Sequence, residues 1–183
     1  MKPTLILLIL LTTLACRQNT NQQQFSQFIN GYYNEGFESF SNLLADSITI
    51  KDGDYMMTYS KQAFKIFFQW DSAFNMKHEL LDFTVGQSSV DYTESLASVR
   101  FQFLQDTALV TKKRVHFKDQ KITMLEVVKN LNADWKKWIA RRYSLVNWVN
   151  VHHPELNGFI YDMTPQGAEQ YKKAIALIEK EYK

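Results

Sequence analysis

Asp52 stands in the run Asp52-Gly53-Asp54, after a short β-branched stretch. A carboxylate there could accept a proton if a dry pocket tuned it, and the competing reading is a solvated turn carboxylate. Lys113 also has two readings. Strict alternation puts it on the face of Leu109, Val115 and Phe117, where an ammonium needs a carboxylate partner or an anionic ligand. Glu126, on a face with Ile122, Met124 and Val128, is the candidate partner; otherwise Lys113 is a strand-end lysine that reaches solvent. Tyr32, Tyr55 and Trp70 could line a pocket with their polar tips, or fill an aromatic core without further role. The histidines His78, His116, His152 and His153 show neither i, i+4 nor His-x-His spacing, so no metal site is expected. The chain has no G-x-S-x-G elbow, phosphate-cradling glycine loop or dinucleotide fingerprint, and no cofactor is expected.

The start of the chain bears on location. Lys2 is followed by an apolar run from Leu5 to Leu14, then Ala15 and Cys16. A charged start, a short apolar core and a small residue form a secretory signal, and the run falls short of the roughly 20 residues a membrane span needs. Thr13-Leu14-Ala15-Cys16 resembles a lipobox, in which the cysteine is acylated and becomes the new N-terminus; Thr13 stands where leucine is usual. The alternative is cleavage near Ala15 without lipidation. Cys16 is the only cysteine, so the mature domain has no disulfide, thiolate nucleophile or cysteine metal site. The expected organisation is a signal peptide over 1–15 and a lipidated cysteine with a polar tether over 16–24. An exported protein anchored by lipid in the bacterial cell envelope follows.

The elements that must position these side chains read as follows. Apolar residues recur at helical spacing from Phe25 to Leu44, interrupted at Asn34-Glu35-Gly36. Ser47 to Lys51 is a strand ended by a turn at Asp52-Gly53-Asp54, and a helix starts at Ser60. Four strands are expected next, over His78–Val85, Ser95–Leu104, Leu109–Phe117 and Lys121–Val128, joined by short turns into an antiparallel meander. A helix with a stripe of Trp135, Trp138, Ile139, Arg142, Leu145, Val146 and Val149 follows, and a last helix opens at Thr164-Pro165. Helices before and after a curved antiparallel sheet make an α+β fold. The formal charge of +2 falls to +1 without Lys2, with no basic stripe, so no nucleic-acid partner is expected.

The order of these elements, with LLADSITIKDG after the first helices and VHFKDQKITMLEVV as a closing hairpin, resembles the nuclear transport factor 2-like, or SnoaL-like, superfamily. The resemblance covers 25–129, and 130–183 is a C-terminal helical extension expected to pack on the same domain. It implies a cone in which a bent sheet wraps around helices and leaves a pocket at the wide end. Ketosteroid isomerase, an enzyme of that fold, aligns without gaps over Leu44 to Asp52 and puts its general base on Asp52. Its oxyanion tyrosine falls on Phe28 and its protonated aspartate on Lys113, so the oxyanion hole is missing.

Three functions compete. The favoured one is a non-catalytic envelope module that binds a small, partly apolar ligand or a protein partner. The second is an isomerase, cyclase or dehydratase with Asp52 as proton acceptor and Lys113 as its helper, which requires both residues to face one cavity. The third is a structural role, with the sheet or the C-terminal helices forming a homodimer.

Overall fold

The computed structural model describes residues 20–181. The expected signal peptide and Cys16 lie outside them. Residues 20–24, expected in the tether, are instead helical: among the described residues α1 covers 20–30, and Asn21 is buried. The Asn21 amide donates to the carbonyls of Gly86 and Gln87 at 3.3 and 3.2 Å, and these bonds fix a polar segment that lacks apolar periodicity.

The break at Asn34-Glu35-Gly36 is a π-turn over Gly31–Glu35, closed by Gly36 N–H donating to the Gly31 carbonyl at 2.8 Å. A Cβ on Gly31 would come within 2.8 Å of the Phe40 ring, which is why this turn needs glycine. Helix α2 (Phe37–Phe40) and a 3-10 turn (Ser41–Leu43) lead into β1 (Leu44–Asp52). The chain continues through β2 (Tyr55–Ser60), α3 (Lys61–Ser72), β3 (Lys77–Val85), β4 (Ser89–Ala97), α4 (Val99–Gln105), β5 (Leu109–Lys118), β6 (Lys121–Asn130), α5 (Trp135–His152) and α6 (Pro165–Glu181). The fold is α+β, and the strands form one sheet in the order β2-β1-β6-β5-β4-β3.

The meander of β3 to β6 is present, but the sheet is mixed because β1 runs parallel to β6. No tight turn joins those two strands, so turn geometry does not impose the antiparallel direction there. It does so at Asp119-Gln120, where both central residues of the β5–β6 turn have positive φ, 50° and 59°. Strand β2 escapes sequence reading because it lies at the sheet edge with nearly every residue exposed, so no alternation of burial marks it. Its ladder to β1 runs from Ser47↔Ser60 to Asp52↔Tyr55 across a turn in which Gly53 takes φ +58°.

The strand expected over Ser95–Leu104 is corrected. Strand β4 ends at Ala97, and Val99–Gln105 is helical. The alternating VRFQF also satisfies helical spacing, with Phe101, Leu104 and Gln105 buried at i, i+3 and i+4. Ser98 decides between the two, since its side chain accepts from the Phe101 N–H as an N-cap and Asp106 ends the helix in the left-handed conformation.

The chain divides into two units. The first comprises the described residues up to Lys61, Leu80–Thr93 and Lys112–Lys129; Phe25 packs there on Tyr92 at 5.1 Å and Phe28 on Phe40 at 5.4 Å. The second comprises Gln62–Glu79, Glu94–Thr111 and Asn130–Lys183. Its core joins Trp70 and Phe74 of α3 to Leu145, Trp148 and Val149 of α5 and to Tyr171, Ile175 and Ile178 of α6. The α5 stripe is corrected at its start, where Trp135 and Ile139 are exposed, and Trp148, left out of it, is buried. Helix α5 is apolar on more than one side there, and Lys137 and Arg141, both bonded to Asp106, set its rotation. Helix α6 starts as expected, with Gly167 N–H donating to Thr164 Oγ1 at 3.3 Å and Pro165 in the first helical position.

Ser98→Ala removes the cap that turns the chain from β4 into α4. The expected loss is about 1 kcal/mol of unfolding free energy, read from urea midpoints; an unchanged midpoint would mean that packing of Phe101 and Leu104 alone sets the helix.

Candidate functional site

Asp52 closes β1 in solvent, directly opposite Tyr55 in the β1–β2 ladder. The general-base reading asks for a dry pocket around this carboxylate, and the exposed end of β1 does not provide one. Tyr55 is 52% exposed. Its hydroxyl bonds to Tyr59, whose own ionisation is pushed up to about 12, mainly by burial and then by this bond. Tyr32 is half-buried among aromatic rings, 5.0 Å from Tyr33 and 5.6 Å from Phe28. Lys113 is half-buried on the odd-numbered face of β5, as alternation predicts.

Glu126 pairs differently from the expectation. An unbroken ladder from the Asp119-Gln120 turn would set it opposite Lys113. Instead Glu126 accepts from Lys51 Nζ at 2.8 Å, lies 2.8 Å from His116 Nε2 and is 4.0 Å from Arg114 Nη1. His116 and Arg114 belong to the even-numbered face of β5, so the hairpin has gained one residue between the turn and Glu126, as at a β-bulge. Arg114 also grips Asp91 with two bonds, of 2.6 and 3.1 Å. The resulting charged network on the sheet lowers the Glu126 carboxyl below its ordinary range, first through the Lys51 bond and then through His116. It is a set of satisfied ion pairs.

The second unit holds a different arrangement. Glu94 is fully buried in β4, in the same alternating row as Val90, Tyr92 and Leu96. His78 Nε2 approaches its Oε2 to 3.0 Å, with 10% of the histidine side chain exposed. The approach has the length of a hydrogen bond without its alignment, and it sets an imidazole nitrogen against a carboxylate that has no exposure to water. The bond from Phe117 N–H to the Ser88 carbonyl and the Asp91–Arg114 pair set the β4–β5 register. Continued unbroken, that register faces Glu94 with Thr111, itself buried and with an Oγ1 that has no hydrogen-bond partner among the described residues.

Arg100, the second residue of α4, lies in the same unit with its guanidinium among aromatic rings. Its Cζ is 4.8 Å from the Trp70 ring centre, 4.7 Å from Phe74 and 4.9 Å from Phe101. The Trp70 ring stacks on Phe67 and meets Phe74 edge-on. Tyr171 packs on Phe74 at 5.7 Å; burial raises its pKa, and the nearby charges of Arg100 and Arg142 partly offset that rise. Of the pocket residues expected from sequence, Trp70 alone belongs to this environment; Asp52 and Tyr55 meet in solvent, and Tyr32 and Lys113 belong to the first unit. Sequence reasoning missed Glu94, His78 as its partner, and Arg100. An acid in the apolar phase of Val90, Tyr92 and Leu96 was the available signal, hidden by starting the strand at Ser95.

No family model and no curated protein matches the chain by sequence. Solved structures do match in shape. A Kribbella flavida protein provisionally assigned as a ketosteroid isomerase superposes with a TM-score of 0.51 at 12% identity, covering 63% of this chain and 82% of its own. A de novo designed protein with a curved β-sheet gives 0.51 at 12% identity over 69% of this chain and 97% of its own. A Streptomyces galilaeus protein provisionally called a hydroxylase gives 0.50 at 10% identity over 63% of this chain and 81% of its own. Identities this low speak to fold. The chain has the nuclear transport factor 2-like, SnoaL-like, fold.

The depressed Glu126 carboxyl makes stability depend on pH. A carboxyl lowered on folding stabilises the native state above its unfolded value, near 4.5, and that contribution is lost as pH falls through the folded value. Urea midpoints of the wild type should therefore fall more steeply below about pH 4.5 than those of Glu126→Gln, which starts lower at pH 7. Parallel curves would contradict this account.

Proposed function

We propose that the protein is an exported bacterial lipoprotein, anchored through Cys16, whose domain binds a small ligand without converting it. One observation carries the ligand reading. In the second unit Trp70 Nε1, Arg100 Nε and Thr111 Oγ1 are buried without a hydrogen-bond partner among the described residues. Buried polar atoms without partners cost about 1–3 kcal/mol each, and a ligand that engages them recovers that cost. Binding without turnover is supported by the broken catalytic set: Asp52 is exposed, and the oxyanion tyrosine position is Phe28, a buried phenyl ring. The anchor is supported by the apolar run ending at Ala15 and by Cys16 being the sole cysteine.

The Glu94–His78 pair favours a second reading, an enzyme of the isomerase, cyclase or dehydratase kind. A buried carboxylate held against an imidazole can pass a proton to or from a bound substrate. Glu94→Gln separates the two, because a proton shuttle loses turnover with binding intact, whereas a binding module has no turnover to lose.

Protein purified from envelopes and extracted in denaturant should release one small molecule in near-stoichiometric amount by mass spectrometry, and the Asp52→Asn variant should release the same amount. An empty wild-type extract argues against the ligand reading. For the anchor, labelled palmitate should enter the wild type and not Cys16→Ser, which should move from the membrane to the soluble fraction; equal partitioning of both would refute lipidation.

A further inference from the structure

We propose that Arg100 and Trp70 form a receptor for a carboxylate group, so that the ligand of the second unit is a small carboxylic acid with an apolar or aromatic body. This inference rests on the small-ligand reading and gives it a chemical class. Arg100 is the strongest pointer in the molecule. Its side chain is only 15% exposed, yet it makes no hydrogen bond among the described residues, and its one acidic neighbour, Asp71, stands 3.8 Å from Nη2. A guanidinium has five N–H donors and cannot shed its charge, so a protein that withdraws it from water must supply acceptors or leave them to a ligand.

The geometry selects the kind of acceptor. The centres of three rings lie within 4.9 Å of Cζ. Cation–π attraction compensates the charge but uses none of the N–H groups, which lie in the guanidinium plane. The N–H groups are what a ligand can engage, and a planar carboxylate meets a guanidinium edge with two parallel bonds. One of those rings is Trp70, whose buried Nε1–H has no acceptor among the described residues and is a further donor on a side chain packed against Arg100. Phe74, Phe101 and Tyr171 surround the position with apolar surface, which suits a hydrocarbon or aryl body behind the carboxylate. Asp71 is too far for a hydrogen bond to Arg100 and close enough to compete with an incoming anion for its charge.

Arg100 could instead be a structural cation, held by cation–π contacts and Asp71 alone, and the experiment separates the two. The mature chain with Cys16→Ser is titrated with sodium benzoate at constant ionic strength, with benzyl alcohol as the neutral counterpart of similar size, following melting temperature and heat of binding. Benzoate should raise the melting point in a saturable manner and benzyl alcohol should not. Arg100→Lys keeps the charge but loses the two-pronged edge, and should weaken benzoate at least ~10-fold. Trp70→Phe keeps the packing and removes one donor, and should weaken it about 3- to 10-fold. Asp71→Asn removes the competitor and should tighten it; this variant keeps the test usable if the Arg100 change unfolds the protein. Saturable binding of benzyl alcohol as tight as benzoate, unaffected by Arg100→Lys, would overturn the carboxylate receptor and leave the small-ligand function standing. Binding of neither probe, with an empty envelope extract, would overturn both.

Discussion

A charge withdrawn from water must be met by an opposite charge, by donors or acceptors, or by a polarisable surface, and this constraint sorts the ionisable side chains of the protein into three kinds. Glu126, Lys51, His116, Arg114 and Asp91 satisfy one another on the sheet of the first unit, where partial exposure lets water share the cost. Glu94 has no water and sits against His78. Arg100 is met by aromatic rings and a distant carboxylate, and its buried Nε–H has no hydrogen-bond partner among the described residues. The first kind is complete as it stands. The third is incomplete, and functional reasoning starts from it.

Local geometry creates these arrangements. The residue gained in the β5–β6 hairpin moves Glu126 to the face of His116 and Arg114 and away from Lys113. In the second unit, Ser98 ends β4 and starts α4, which puts Arg100 on a helix, with its guanidinium over Trp70 and Phe74, where a strand was expected. One hydroxyl accepting one backbone N–H thus determines where a cation lies. The fold itself, shared at 10–12% identity with proteins provisionally assigned to an isomerase and a hydroxylase, constrains function little. Its chemistry depends on which side chains line the interior.

Several elements could be read directly from the residues. The helical spacing from Phe25 to Phe40, the break before Gly36, the Asp119-Gln120 turn and the Thr164-Pro165 start of α6 are local features, governed by propensity, turn chemistry and capping within a few residues. The α+β class and the resemblance to the nuclear transport factor 2-like fold followed from their order. The exposed edge strand β2 left no mark because both its faces meet solvent, and VRFQF satisfied the strand and helix periods equally.

By itself, then, the sequence determined the periodic and punctuated parts of the chain, the lone cysteine at the end of an apolar run, and the fold class, since each depends on neighbours within a turn or two. Only the tertiary structure decided that Asp52 lies in solvent, that Glu94 finds His78, that Glu126 is taken by Lys51 and His116, and that Arg100 lies among three rings. Those outcomes depend on strand register and helix rotation, and a slip of one residue reverses the face on which every side chain of a strand appears.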